Sequence, residues 1–227
     1  YQMLNKRLGQ ISEGKEAWIK HSQRYHDGRI HGSVITNACV SGRCSHRNPN
    51  MAQVPRVGAP YGAECRALFH APHGWRQCGT DASGLELRAL GAQLAYFDDG
   101  EYAKLVSTEG FDIHTHNAKL FGIYDGQGTI EKRIREQAKT LIYAVLYGAG
   151  AQKLGTILDP SLGQYDQQDL GRETIETFYK NLPAIKKLKD KVDERVIDRG
   201  YLIGIDGRHL QIRSRHSALN QLLQSTG

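Results

Sequence analysis

Cysteine is scarce in this sequence, and its four examples, Cys39, Cys44, Cys65 and Cys78, include no C-x-x-C pair. That spacing suggests neither a zinc ribbon nor a dense disulfide framework, and it fits a reducing compartment. Long apolar runs are missing as well. Nothing approaches the about 20 consecutive apolar residues that a membrane-spanning helix needs, and no charged-then-apolar leader opens the chain. The absences together predict a soluble, cytoplasmic protein with no membrane partner. Internal repeats and low-complexity linkers are also lacking. The first residue is Tyr1 rather than Met, and Leu219 to Gly227 reads as a helix with no stop signal beyond the final glycine, so both ends read as cut.

What is present is enough apolar material for a core, 39% of 227 residues, which suits one large or two small globular domains. The net charge is +6 with ten histidines counted neutral. A basic excess favours a polyanionic partner, although solvated lysine faces produce the same balance.

Along the chain, Leu4, Leu8 and Ile11 give Tyr1 to Arg24 helical spacing, and His26-Asp27-Gly28 turns into a short alternating run from Arg29 to Val34, read as a hairpin. Thr36 to Pro60, rich in Asn, Gly, Ser and Pro, is expected to be loop. Gly74 to Thr80 suggests a strand, and Ser83-Gly84-Leu85-Glu86 has the form of a helix capping box, which places Asp81 between a strand end and a helix start. Further helices are expected from Asp112 to Gly122, from Thr129 to about Gly148, and on both sides of Pro183 within 167–199. Tyr201 to Arg213 alternates around Asp206-Gly207, a hairpin signal.

The most informative segment is Glu131 to Gly150. Arg135, Lys139, Tyr143 and Tyr147 recur every fourth residue, so successive side chains lie about 40° apart and cover roughly 18 Å of helix. Two cations followed by two rings match the order of a nucleoside triphosphate, with phosphates against the cations and sugar and base against the rings. An isolated ladder of this kind also suits an ordinary basic helix with half-buried tyrosines.

The pattern R-x-x-x-K-x-x-x-Y-x-x-x-Y-G resembles motif B, the fingers helix of family A DNA polymerases. Asp81-Ala82-Ser83-Gly84-Leu85-Glu86-Leu87-Arg88 resembles motif A of the same family, and Ser41-Gly42-Arg43 with Pro49-Asn50-Met51-Ala52-Gln53-Val54-Pro55 is similar to its upstream element. Asp112-Ile113-His114-Thr115 and Tyr143 are most similar to the replicative polymerases of short-tailed bacteriophages. The resemblance covers the whole chain. It implies an α+β right-hand architecture, with an antiparallel palm sheet and helical fingers. Residues 1–24 would end the thumb, 25–111 and 200–227 would belong to the palm, and 112–199 would form the fingers.

Two-metal phosphoryl transfer needs carboxylates that clamp Mg²⁺ ions about 4 Å apart. The resemblance implies that Asp81 binds both ions, helped by the Ala82 carbonyl. An aspartate in this position otherwise serves as a helix cap. Glu86 has two competing roles, the acidic partner of a capping box or, by resemblance, a gate that with Tyr143 excludes ribonucleotides. Resemblance further implies that His114 joins Arg135 and Lys139 on the incoming phosphates, with Lys139 catalytic. His116 is expected to be exposed, and a zinc site in Asp112-x-His114-x-His116 is a minor alternative, because i and i+2 side chains point apart on a helix. Asn220 and Gln224 share one face of the last helix and, taken alone, would be surface polar residues; the resemblance implies that these amides, and similarly Arg43, check base-pair shape from the minor groove.

The family's third motif, His-Asp-Glu, is not found, since the only His-Asp pair, His26-Asp27, lies upstream of motif A. The expectation is a DNA polymerase segment, inactive by itself, that uses dNTPs, primed DNA and two Mg²⁺ ions. The alternative is the non-catalytic, primer-template-binding half of a split polymerase; a second polymerase chain or a processivity factor would be a further partner. A single-subunit RNA polymerase shares the Lys and Tyr of motif B, but Glu86 argues against it.

Overall fold

The computed structural model describes residues 2–226, so Tyr1, Gly227 and the reading of the two chain ends lie outside the described residues. The chain divides into two compact units, Tyr1–Asp81 and Ala82–Gly227.

The first unit holds short helices and one small sheet. Helix α1 (Gln2–Leu8) runs into a π-helical turn over 9–13, and α2 (Trp18–Ser22) follows, so the single helix expected over the first 24 residues is broken. Leu4 and Leu8 are exposed, whereas Trp18 is buried with its ring edge-on to Phe69 at 5.1 Å. The apolar anchor is therefore Trp18 rather than the leucine stripe. The expected hairpin over Arg29 to Val34 does not form either. Asp27 Oδ1 accepts the Arg29 amide at 2.9 Å and Asp27 Oδ2 sits 2.8 Å from His31 Nε2, which closes a local turn instead. Strand β1 (Ser33–Ile35) pairs with β2 (Ser45–Arg47), Val34 opposite His46, so regular structure lies within the stretch expected to be loop. Helix α3 (Gly62–Ala67) buries Cys65.

Residues 74–80 form no strand. They are exposed throughout, Trp75 to 75%, and the segment finds no partner strand among the described residues, without which a strand has no independent stability.

The second unit is mainly helical. Helix α4 (Leu85–Asp98) buries Leu87, Leu90 and Leu94, and α5 (Glu101–Ser107) follows after Asp98, whose carboxylate accepts the Gly100 and Tyr102 amides at 3.0 and 3.1 Å. Buried Tyr102 donates its hydroxyl to Asn117 Oδ1 at 3.2 Å, tying α5 to α6 (Ile113–Leu120). Helix α7 (Lys132–Leu146) buries Ala138, Leu141, Ile142 and Leu146. Helices α8 (Ala151–Leu158) and α9 (Gln164–Asn181) cross closely, and α10 (Pro183–Arg199) starts on its proline and ends at Gly200 in the left-handed region. Phe121 stacks on Phe178 of α9 at 4.2 Å. The expected hairpin forms, β3 (Tyr201–Ile203) with β4 (His209–Gln211), buried Leu202 facing buried Leu210. Helix α11 (Ala218–Gln224) packs Leu219, Leu222 and Leu223 inward. Helices with two small antiparallel sheets make up the α+β class expected from the sequence.

The capping box does not form. Gly84 precedes α4 with φ 61°, and no side chain caps the helix. A side-chain N-cap needs an extended residue at that position, so Ser83 cannot serve.

Gly171 marks the crossing of α8 and α9, where a side-chain methyl would run into the Ala151 carbonyl. Overpacking against backbone has no flexible side chain to yield, so Gly171→Ala is expected to destabilise the protein by roughly 1–3 kcal/mol. Urea denaturation of the two proteins measures it, and an unchanged midpoint would show that the helices can move apart.

Candidate functional site

The corner between α6 and α7 is organised by one carboxylate. Asp112 precedes α6 with φ −87° and ψ 91°, the extended geometry of an N-cap, and its Oδ1 accepts the His114 amide at 3.1 Å. Its Oδ2 accepts the Thr115 hydroxyl at 2.7 Å. The same two oxygens also take the Arg135 guanidinium edge-on, Nε to Oδ2 at 2.7 Å and Nη2 to Oδ1 at 3.0 Å. Partial burial works to raise the Asp112 pKa, but the Arg135 pairing and the other donors outweigh it and bring it down to about 2. The remaining terminal nitrogen of Arg135, Nη1, lies 3.3 Å from Glu136 Oε1.

His114 sits beside this pair. Its pKa is lowered, first by burial and then by the charges of Arg135 and Lys139, so the ring is neutral at neutral pH. Its Nδ1 is buried with no hydrogen-bond partner among the described residues. Lys139 is exposed one turn beyond Arg135. His116 is half-buried rather than exposed, with Phe111 5.8 Å and Tyr102 6.5 Å from its ring centre. A zinc site in this triplet is not formed: no group of three metal-binding side chains exists among the described residues, and Asp112 is committed to Arg135.

The other end of α7 meets α4. Tyr147 donates its hydroxyl between the two oxygens of Glu86, 3.0 Å from each. Tyr147 thus holds Glu86, and Tyr143 lies alongside with its ring centre 6.3 Å from that of Tyr147. Burial, followed by the charge of Glu86, raises the Tyr143 pKa, which keeps this hydroxyl protonated. After Tyr147 the chain turns at Gly148, φ 76°, where any side chain would strike the His216 carbonyl. The end of α7 is thereby locked against the segment leading into α11.

The remaining candidates belong to both units. Arg43 lies in the exposed turn between β1 and β2, where its carbonyl accepts the Cys39 amide at 3.2 Å, and Asp81 is exposed on the unpaired extended segment. These two belong to the first unit, and Ala82, also exposed, opens the second. Asn220 and Gln224 are half-buried on α11, and Asn220 Oδ1 has no hydrogen-bond partner among the described residues. Within the second unit the structure therefore groups His114, Arg135 and Lys139 at one end of α7 and Glu86, Tyr143 and Tyr147 at the other. Sequence reasoning read Asp112 as a cap, with a zinc ligand as the minor alternative, and did not pair it with Arg135; nor did it pair Glu86 with Tyr147. Neither partnership leaves a local signal, since the pairs are 23 and 61 positions apart.

Along α7 the structure thus sets two cations and then two phenols, with a carboxylate held by the last. Residues 1–226 match the family described as DNA polymerase family A, and the chain belongs to that family. It is 41% identical, over its full length, to a DNA-directed DNA polymerase of Enterobacteria phage T3 and to one of Escherichia phage T7, and it spans 33% of each. It is 32% identical over 80% of its length to the thermostable DNA polymerase I of Thermus aquaticus, of which it spans 20%. Among solved structures, the POL domain of Pol1 from M. smegmatis, in complex with DNA primer-template and dNTP, matches 92% of the chain, itself covered to 37%, with a TM-score of 0.69 at 20% identity. That likeness bears on the fold. The expected α+β polymerase architecture holds, and the chain spans about a third of the phage relatives' length.

The Asp112 clamp has a pH signature. Its folded-state pKa is lowered, so the stability it adds is present above the ordinary value of 3.8 and is lost as pH falls through about 2. A carbon-detected NMR titration of the Asp112 carboxyl is expected to give a midpoint near 2 that moves toward the ordinary value in Arg135→Ala. A wild-type midpoint near 4 would mean that the clamp does not exist in solution.

Proposed function

We propose that this chain supplies the nucleotide-binding helix and the first metal-binding carboxylate of a template-directed DNA polymerase, which transfers dNTPs to a primer 3′ end. The reading rests above all on one observation, the graded face of α7: cations Arg135 and Lys139 beside a neutral His114 at one end, and Tyr143 and Tyr147 with the tethered Glu86 at the other. In this reading residues 112–199 are the fingers, 25–111 and 200–227 belong to the palm, and 1–24 end the thumb. The setting is cytoplasmic. No helix among the described residues is long and apolar enough to cross a membrane.

Arg135 and His114 bind the triphosphate oxygens. Lys139 meets the charge that develops on the phosphates as the new bond forms, which makes it the catalytic cation. Glu86, fixed by Tyr147, and Tyr143 bound the sugar and exclude a 2′ hydroxyl. Asp81 and the Ala82 carbonyl offer hard oxygen donors, which suit Mg²⁺ better than a soft metal, and they would hold the ions. When bound, two Mg²⁺ would lower the pKa of the primer hydroxyl and neutralise the leaving pyrophosphate. Arg43, Asn220 and Gln224 take the minor groove of primed DNA. A second polymerase chain or a processivity factor is a further partner that this reading accommodates.

The test is primer extension with these residues in a complete polymerase, obtained by exchanging them for the matching third of the phage T7 protein. Template-directed addition of dNTPs, abolished by Asp81→Ala, is expected. A chimera that folds and binds primed DNA yet adds no nucleotide would overturn the proposal. In the same enzyme Lys139→Ala is expected to slow the chemical step and Arg135→Ala to weaken nucleotide binding. Normal pre-steady-state rates and affinities for both would make this helix face structural.

Tyr143 carries a sharper prediction. Its hydroxyl can replace the interaction that a missing 3′ hydroxyl would have made, whereas a phenyl ring leaves that place empty in a dry site. The polymerase is expected to accept dideoxynucleotides nearly as well as deoxynucleotides, and Tyr143→Phe to raise discrimination by on the order of 10² or more with ordinary incorporation almost unchanged. The ratio of ddNTP to dNTP incorporation efficiencies measures this, and an unchanged ratio would remove Tyr143 from the sugar.

A further inference from the structure

We propose that Asp112 is a positioning residue for the nucleotide, holding Arg135 by one edge of its guanidinium so that the opposite side is presented to the triphosphate. The inference rests on the polymerase reading of α7 and goes beyond it by assigning a role to a residue that touches no substrate.

The hydrogen-bond inventory carries the argument. A carboxylate has about four lone-pair sites, and Asp112 uses all of them: the His114 amide and Arg135 Nη2 on Oδ1, the Thr115 hydroxyl and Arg135 Nε on Oδ2. Helix capping explains only the first of these, and an asparagine would cap as well. The two parallel bonds to Arg135 fix the plane of the guanidinium, which a single contact to a flexible side chain does not do. They occupy Nε and Nη2 and leave Nη1 directed away. Its hydrogen-bond partner among the described residues is Glu136 Oε1, at 3.3 Å, on a carboxylate whose side chain is 53% exposed, a long contact that a triphosphate oxygen can replace. The same carboxylate sets the first turn of α6, from which His114 projects. One residue therefore orients two of the three phosphate-binding side chains before any ligand arrives, and a guanidinium already ordered loses less rotamer freedom on binding.

A purely electrostatic view predicts the reverse, because a negative charge beside the phosphates repels them. Direct binding of dTTP, with thymidine as the reference, to the 227-residue chain separates the two views. Asp112→Asn retains a capping oxygen and removes the charge that holds Arg135. It is expected to weaken dTTP binding about tenfold, the cost of one charge-assisted pair, with the far-ultraviolet helical signal unchanged. Arg135→Ala is expected to weaken binding at least as much. The double variant should bind no more weakly than Arg135→Ala, because Asp112 acts through that arginine. Thymidine binding should not move in any variant.

If Asp112→Asn binds dTTP as tightly as wild type, or more tightly, while Arg135→Ala is impaired, the positioning role is wrong and the polymerase reading stands. Additive losses in the double variant would likewise overturn it. If the wild-type chain binds dTTP no better than thymidine, the triphosphate site on α7 is wrong, and this inference falls with it.

Discussion

The rotation of α7 about its own axis is the constraint on which the second unit's chemistry depends. Ala138, Leu141 and Ile142 are 0% exposed and Leu146 1%, and burying three such leucine or isoleucine side chains contributes roughly 1.5–3 kcal/mol each. An exposed ion pair contributes about 0.2–1 kcal/mol, so apolar packing decides which way the helix faces and the charged groups follow. With that stripe fixed, the helical period alone sets Arg135, Lys139, Tyr143 and Tyr147 along its flank. Gly148 then closes the arrangement. Its left-handed backbone and the His216 carbonyl against it leave no room for the helix to continue or slide, and Tyr147 is held at a fixed height opposite α4.

Glu86 has two candidate roles, and backbone geometry weighs against one of them. The S-x-x-E spelling points to a capping box, but that device needs an extended residue before the helix, and Gly84 is left-handed. Freed from the helix end, the Glu86 carboxylate receives the Tyr147 hydroxyl symmetrically. The proposed gate needs a side chain that keeps its place, and a carboxylate on a rotatable stem does so only when something holds both of its oxygens. Tyr147, which in the sequence is simply the last rung of a ladder, supplies that restraint.

The pattern of what was legible follows from the range of the interactions. Helices marked by local chemistry were readable, including the Asp112 cap, the Pro183 start of α10 and the Asp206-Gly207 turn of the β3–β4 hairpin, because those signals act within a few residues. The elements that went wrong depend on distant partners. Gly74 to Thr80 was expected as a strand and lacks a neighbouring strand among the described residues. Val34 pairs across a loop with His46 instead of folding back at once. His116 was expected in solvent, yet Phe111 and Tyr102 shelter it. In the same way, the residue types of the candidate site were readable as a set, while the contacts that orient them were not. An arginine in a motif does not reveal which carboxylate holds it 23 positions away.

That hidden carboxylate also addresses an electrostatic difficulty. Three groups able to carry positive charge, His114, Arg135 and Lys139, crowd one end of a helix, and mutual repulsion would disfavour the folded state in the absence of ligand. Burial and the neighbouring cations keep His114 neutral. Asp112 and Glu136 stand against Arg135 and Lys139, two carboxylates to two cations, so the empty corner has a formal charge of zero. The two acidic partners are not equivalent. Asp112 holds Arg135 through two bonds at 2.7 and 3.0 Å, whereas Glu136 touches it through one at 3.3 Å, and an exposed contact of that kind contributes little. A polyanion can therefore displace Glu136 without disturbing Asp112. In the proposed reading Glu136 balances charge and is exchangeable, whereas Asp112 keeps Arg135 oriented.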